Sequence, residues 1–199
     1  MLVAFEGIDG SGKSTVMKKV AAKLRKDGLR VRLTQEPTGT WLGQEVRRAI
    51  SSKIDPMALA FLFLSDRAQH VRDIAEGDED LVLTDRYRDS TSAYQAVALA
   101  QRVPDALAYF TRLQDSLFPA PDIGILLDIP AEVGVARIAG RTKKEPFEKI
   151  QFLRGVRSNY LRLAKENRLI VVDATPTVDE VVEKVLGVVR SRIAIARLH

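Results

Sequence analysis

Cysteine is absent from the 199-residue chain. Disulfides, thiolate metal sites and cysteine nucleophiles are thereby excluded. Only two histidines are present, His70 and His199, too few for a histidine-rich metal site. The longest apolar run, Met57 to Leu64, falls well short of the roughly 20 residues needed to span a bilayer. Met1 leads directly into Leu-Val-Ala-Phe with no basic segment ahead of an apolar one, so no secretory signal is expected and a cytoplasmic location is predicted. Repeats, low-complexity tracts and Pro/Gly/Ser linkers are also missing, which predicts one domain over residues 1–199. What is present suits a globular core: 46% hydrophobic and 29% charged residues. The formal net charge of +5 and the 20 arginines against 11 lysines fit either a nucleic-acid binder or an enzyme acting on polyphosphates, and do not choose between them.

Short apolar stretches rich in β-branched residues recur at 2–6, 30–34, 81–84, 122–128 and 169–173. Most are nearly continuous in apolar character, as strands buried on both faces should be. Between them, helical spacing is found at 14–26, 41–52, 56–76, 89–102, 104–117, 132–139, 147–167 and 177–196, with Pro56 and Pro104 at expected helix starts. Strand alternating with helix predicts an α/β fold with a parallel sheet. Ligands of such sheets bind beyond the carboxyl ends of the strands, so chemistry is sought there.

After the first stretch stands Gly7-Ile8-Asp9-Gly10-Ser11-Gly12-Lys13-Ser14-Thr15, which satisfies G-x-x-x-x-G-K-[ST]. The glycines let successive N–H groups turn inward on a phosphate, and the following helix adds its positive dipole end. Lys13 is placed for the β- and γ-phosphates and the Ser14 hydroxyl for Mg²⁺. The motif specifies a nucleoside triphosphate but not the reaction. After the third stretch stands Asp85-Arg86-Tyr87, a carboxylate suited to a metal and an arginine suited to a transferring phosphoryl group. A capping role for Asp85 is less economical, because Asp89 and Ser90 can open the next helix. The second stretch is followed by Glu36-Pro37-Thr38-Gly39-Thr40 and a helix carrying Arg47 and Arg48, of which one is expected to face the site and the other solvent. Phe63 and Arg67 share a helical face, and an aromatic plate beside a planar donor fork can hold a nucleobase. On spacing alone a core role is favoured for either of Phe61 and Phe63, and His70 is expected to pair with Asp66 on the helix surface. Arg137 and Arg141 are four apart, at the end of one helix and the start of Gly140-Arg141-Thr142-Lys143-Lys144-Glu145-Pro146, a segment readable as a lid at about 140–149 or as a solvated loop.

Together these stretches resemble the thymidylate kinases, within the nucleoside monophosphate kinases. The resemblance rests on Phe5 to Thr15, Thr34 to Thr40, Phe63 to Arg67, Asp85-Arg86-Tyr87 with Ser90 to Gln95, and Pro121-Asp122, Leu127-Asp128 and Asn159-Tyr160-Leu161. The run through Ala93-Tyr94-Gln95 is more specific than the P-loop. The resemblance implies a five-stranded parallel sheet of order 2-3-1-4-5 flanked by helices, a homodimer, and transfer of the ATP γ-phosphoryl to dTMP, a step toward dTTP. It places Gly7 to Thr15 and Arg137 on ATP, and Ser14 and Asp85 on Mg²⁺. Asp9, Glu36, Arg47, Phe63, Arg67, Arg86, Thr91, Tyr94 and Gln95 fall to dTMP, and Asp9, Lys13, Asp85, Arg86 and Arg141 to catalysis. Gln35 departs from the arginine that many members carry, and the lid is short. None of Ile8, Asp9, Gly10 and Ser11 is basic, so the lid, with Arg141 ahead of Lys143 and Lys144, is the expected source of a catalytic cation. Two other functions are open to the residues alone: a different nucleotide or deoxynucleoside kinase, and a nucleic-acid-binding ATPase, the latter without an RNP-like aromatic motif or helix-turn-helix signature.

Overall fold

A computed structural model describes residues 1–138, 146–166 and 168–196. Five strands form one parallel sheet: β1 (Leu2–Glu6), β2 (Val31–Gln35), β3 (Leu81–Asp85), β4 (Ile123–Asp128) and β5 (Ile170–Asp173). Their order is β2-β3-β1-β4-β5, as the resemblance implied. Continuous burial holds for β1, β3 and β4, the inner strands. The edge strands β2 and β5 are partly exposed, because each has a neighbour on one side only.

The helices are α1 (Lys13–Lys26), α2 (Trp41–Ser52), α3 (Pro56–Ala75), α4 (Arg88–Ala98), α5 (Ala106–Leu117), α6 (Ala131–Ile138), α7 (Pro146–Lys165) and α8 (Val178–Ala196). In α1, Val16, Met17, Val20, Ala21 and Leu24 recur at helical spacing and are all buried. That stripe packs α1 on β2, β3 and α8, while α7 packs on β4, α4 and α6. The Asp55 side chain caps α3 by accepting from Met57 N–H at 2.8 Å, and Pro56 opens the helix where its missing N–H costs nothing. Pro104 does not open a helix. It lies in a turn, and α5 begins only after Asp105, whose φ is +42°. Likewise α4 ends at Ala98, short of the expected Arg102.

In this order the chain runs outward from β1 to β2, returns to β3 and then crosses to β4 on the other side. The carboxyl ends of β1, β3 and β4 therefore flank the point where the winding reverses, where a crevice opens. Among the described residues no helix is long and apolar enough to cross a membrane.

Candidate active site

The loop after β1 is shaped by its glycines. Gly10 has φ +83°, and a Cβ there would lie 2.4 Å from the Gly134 carbonyl oxygen, so only glycine lets the loop rest on α6. No acidic side chain occupies the first turn of α1, leaving its positive dipole end free for an external anion. The Lys13 ammonium folds back on the loop, donating to the Gly7 and Ile8 carbonyls at 3.1 Å each. Burial, then the charge of Arg86, push Lys13 down to about 8, against the opposing pull of Asp85, Asp9 and Glu6. Ser11 Oγ is buried without a partner among the described residues.

Asp85 ends β3 opposite Phe5 of β1, and its carboxylate accepts from the Ser14 hydroxyl. An alcohol and a carboxylate brought together are the oxygen donors a hard divalent cation takes. No group of three or more His, Asp or Glu side chains is arranged around a common centre among the described residues. A cation here would draw its remaining oxygens from phosphates and water.

Arg86 follows with φ +74°, a conformation unfavourable for a side chain with a Cβ. Its backbone N–H is tied to Phe5 O at 2.9 Å. Its guanidinium reaches Asp9 Oδ1 at 2.6 Å, Ser90 Oγ at 3.1 Å, Tyr94 OH at 3.2 Å and Gly7 O at 3.3 Å, and lies 4.9 Å from the centre of the Tyr94 ring. Burial alone would raise the Asp9 carboxyl, but the positive charges of Arg86 and Lys13 outweigh it and hold Asp9 below the usual range. Arg86, Asp9 and Tyr94 thus form one cluster beside the phosphate loop.

Beneath it lies Glu6, fully buried, which no sequence pattern singled out. It accepts from Tyr87 N–H at 2.9 Å, from Tyr160 OH at 3.0 Å and from the Ser90 hydroxyl. Burial, then the charge of Asp89, push its carboxyl up to about 7. Through Ser90 it supports Arg86 from below.

On the β2 side, Asp66 clamps the 36–40 loop to α3, accepting from Thr38 N–H at 2.8 Å and from the Thr38 hydroxyl at 2.5 Å. Asp66 is therefore not the partner of His70, as helix spacing suggested. His70 is buried, with Nδ1 2.9 Å from Glu36 Oε1 and Nε2 2.8 Å from Thr34 Oγ1. Arg47, though exposed, is the member of its pair that meets the loop after β2: its guanidinium donates to the carbonyls of Thr38 at 2.6 Å and Gly43 at 2.7 Å. Arg48 points to solvent, 3.8 Å from Glu45. Phe61 is exposed and Phe63 half-buried, so neither is the core residue that the alternative reading required.

Arg67 is 1% exposed. Its Nε donates to Glu36 Oε2 at 2.9 Å, and its Nη2 to the same oxygen, to Tyr87 O at 3.0 Å and to Thr91 Oγ1 at 3.0 Å. Its Nη1 donates to Gln114 Oε1. Burial would raise the Glu36 carboxyl, yet Arg67 and His70 more than offset it and hold Glu36 low. Glu36 therefore acts through Arg67, since both its oxygens are already engaged by protein donors. Gln114 was not legible from the sequence, because it lies 47 residues from Arg67. Gln95 Oε1 is buried with no partner among the described residues, an acceptor waiting for a donor.

On the opposite side of the phosphate loop, a cavity of about 300 Å³ is lined by Gly10, Gly12, Thr15, Arg137, Ala174 and Val178 among others. Arg137 spans it, with Nη1 3.4 Å from Ala174 O and 3.5 Å from Gly10 O. Of the lid expected at about 140–149, residues 140–145, with Arg141, Lys143 and Lys144, lie outside the described residues, and 146–149 form the first turn of α7.

A parallel sheet of this order, a P-loop after its central strand and Arg86 at the adjoining strand end define a P-loop nucleotide kinase. The sequence model of the family described as "Thymidylate kinase" matches residues 5–185. Relatives named "Probable thymidylate kinase" include that of Methanoculleus marisnigri, 40% identical over 196 residues, 96% of this chain and 95% of the relative. That of Methanosarcina mazei is 40% identical over 191 residues, 93% of each chain. That of Sulfurisphaera tokodaii is 39% identical over 192 residues, 96% of each. The chain belongs to the thymidylate kinase family.

Proposed function

We propose that the protein phosphorylates dTMP to dTDP, with ATP as phosphoryl donor and Mg²⁺ as cofactor, in the cytoplasm and as a homodimer of one-domain chains. The observation that carries the acceptor assignment is the burial of Arg67, bonded to Thr91 of α4, together with Gln95, one turn further along the same helix. One offers a hydrogen-bond donor to a 4-oxo group, the other an unpaired acceptor to an imide N–H. Phe63 supplies a face for the base, and Thr91 and Tyr94 bound the sugar side.

The fit to Mg²⁺ rests on the Ser14 hydroxyl meeting the Asp85 carboxylate. A bound Mg²⁺ neutralises charge on the phosphate oxygens. The remaining steps belong to the protein. The backbone of Gly7 to Thr15 cradles the donor phosphates, and Lys13 exchanges its two loop carbonyls for phosphate oxygens. The adenine occupies the cavity spanned by Arg137. Arg86, aligned by Asp9, holds the acceptor phosphate in line, with Arg47 on its far side. Arg141 is the lid residue assigned to the transferring group. Since the acceptor is a phosphate oxygen, no strong base is required. Alignment and positive charge do the work.

A coupled ADP-release assay with dTMP, dUMP, thymidine and no acceptor tests this. Turnover is expected with dTMP and is lost in excess chelator. ATP hydrolysis independent of acceptor, or a preference for thymidine over dTMP, would overturn it.

A further inference from the structure

Arg67 can read a base only if its one uncommitted hydrogen is aimed. A guanidinium carries five. The Nε hydrogen goes to Glu36, the two on Nη2 to Glu36 and to Tyr87 O with Thr91, and one on Nη1 to Gln114. Among the described residues one Nη1 hydrogen is left. Its direction follows the plane of the guanidinium, which is held by the carboxylate oxygen that Nε and Nη2 share and by Tyr87 O, Thr91 and Gln114 on the other committed hydrogens.

What fixes the carboxylate is then the question. Among the described residues the other oxygen of Glu36 has one side-chain partner, Nδ1 of His70 at 2.9 Å. His70 sits one turn beyond Arg67 on α3, and both are buried to within 2%. The imidazole is itself held at its far end, where Nε2 meets Thr34 Oγ1 at 2.8 Å. Thr34 lies on β2, paired in register with Thr84 of β3, so the chain of contacts ends on the sheet. A carboxylate accepts only, so Nδ1 carries a hydrogen, and the Thr34 hydroxyl can serve Nε2 as donor.

We propose that His70 is a positioning residue for base recognition. Anchored by Thr34, it fixes the Glu36 carboxylate, and Glu36 aims the uncommitted N–H of Arg67 at the 4-oxo edge of a pyrimidine nucleotide. This rests on the assignment of Arg67 to the acceptor base. The role belongs to the nitrogen and not to the ring, which gives it a specific test. An asparagine amide nitrogen occupies the place of Nδ1, whereas a glutamine amide nitrogen reaches the place of Nε2.

Steady-state kinetics of the full chain are measured for His70→Gln, His70→Asn, Thr34→Val and Arg67→Ala, with dTMP and with 5-methyl-dCMP, which carries an amino group at position 4. His70→Gln is expected to raise KM for dTMP about tenfold, the effect of misplacing one hydrogen bond, with kcat and KM for ATP within about twofold. The preference for dTMP over 5-methyl-dCMP falls by a similar factor. His70→Asn restores most of the loss. Thr34→Val, which leaves the imidazole in place, moves KM for dTMP in the same direction by about threefold, and it carries the test if His70→Gln does not fold. Equal behaviour of the Gln and Asn variants, or a parallel loss of dTMP and ATP affinity, overturns the proposal. If Arg67→Ala lowers the preference and His70→Gln does not, the role of His70 alone fails. If Arg67→Ala also leaves the preference unchanged, the assignment of Arg67 to the base fails with it.

Discussion

Replacing Glu36 by glutamine removes one charge from a site where no water can compensate. Glu36, Arg67 and His70 are each at most 5% exposed, and the Glu36 carboxylate receives two arginine N–H groups and one imidazole N–H. Glu36→Gln leaves shape nearly unchanged but strips Arg67 of its counter-ion. Breaking a buried pair by removing one partner costs about 3–5 kcal/mol, because the surviving charge stays buried without compensation. With an unfolding entropy of about 2.1 cal/mol/K per residue, a chain of 199 residues has about 0.4 kcal/mol/K at its midpoint. The variant should therefore melt about 7–12 °C below the parent by scanning calorimetry near neutral pH. Glu36→Gln with Arg67→Met should recover part of that loss, since neither charge is then buried alone, and the cycle should show a coupling of at least about 1 kcal/mol. A drop of less than about 2 °C in the single variant, or strictly additive losses in the double, would refute the view that the pair holds the 36–40 loop to α3 and α4.

Two further outcomes follow from the phosphate loop and the strand beneath it. Lys13→Ala should leave the melt within a few degrees while turnover in the coupled assay falls by about two to three orders of magnitude, the scale of one preorganised charge contact; turnover near that of the parent would refute it. Glu6 has a folded-state carboxyl raised from 4.5 to about 7, so its contribution to stability is fully present below about 4.5 and is lost as pH rises through about 7. That loss is on the order of 3 kcal/mol; Glu6→Gln should abolish this part of the pH dependence, so that denaturant midpoints of variant and parent, compared from pH 5 to 8, diverge in favour of the variant, and parallel midpoints would show that Glu6 is charged throughout.

Much of the fold was legible in the sequence because it is encoded locally. The apolar runs at 2–6, 81–84 and 122–128 mark the inner strands, since a strand covered on both faces has no polar side to display. Gly10 and Gly12 mark the phosphate loop because both take a positive φ that disfavours a side chain, and at Gly10 the approach of Gly134 also leaves no room for a Cβ. Pro56 marks the start of α3. Strand order followed only from the resemblance to a family, since a run of apolar residues does not say which strand lies beside it.

Tertiary structure alone decided the partners. Spacing put Asp66 and His70 on one helical turn, but packing sent Asp66 to Thr38 and His70 to Glu36, because each buried polar group must find a complement in whatever element lies opposite. Gln114 meets Arg67 and Tyr160 meets Glu6 across 47 and 154 residues, distances at which no periodicity carries information. Arg47 and Arg48 are indistinguishable in sequence, and only the docking of α2 on the 36–40 loop set one of them against the loop carbonyls. The sequence alone was enough to determine that the chain handles a nucleoside triphosphate, because a phosphate cradle is a local backbone shape, and the acceptor followed only from the family resemblance. Which side chains aim that chemistry was left to the fold, because aiming depends on contacts between elements distant along the chain.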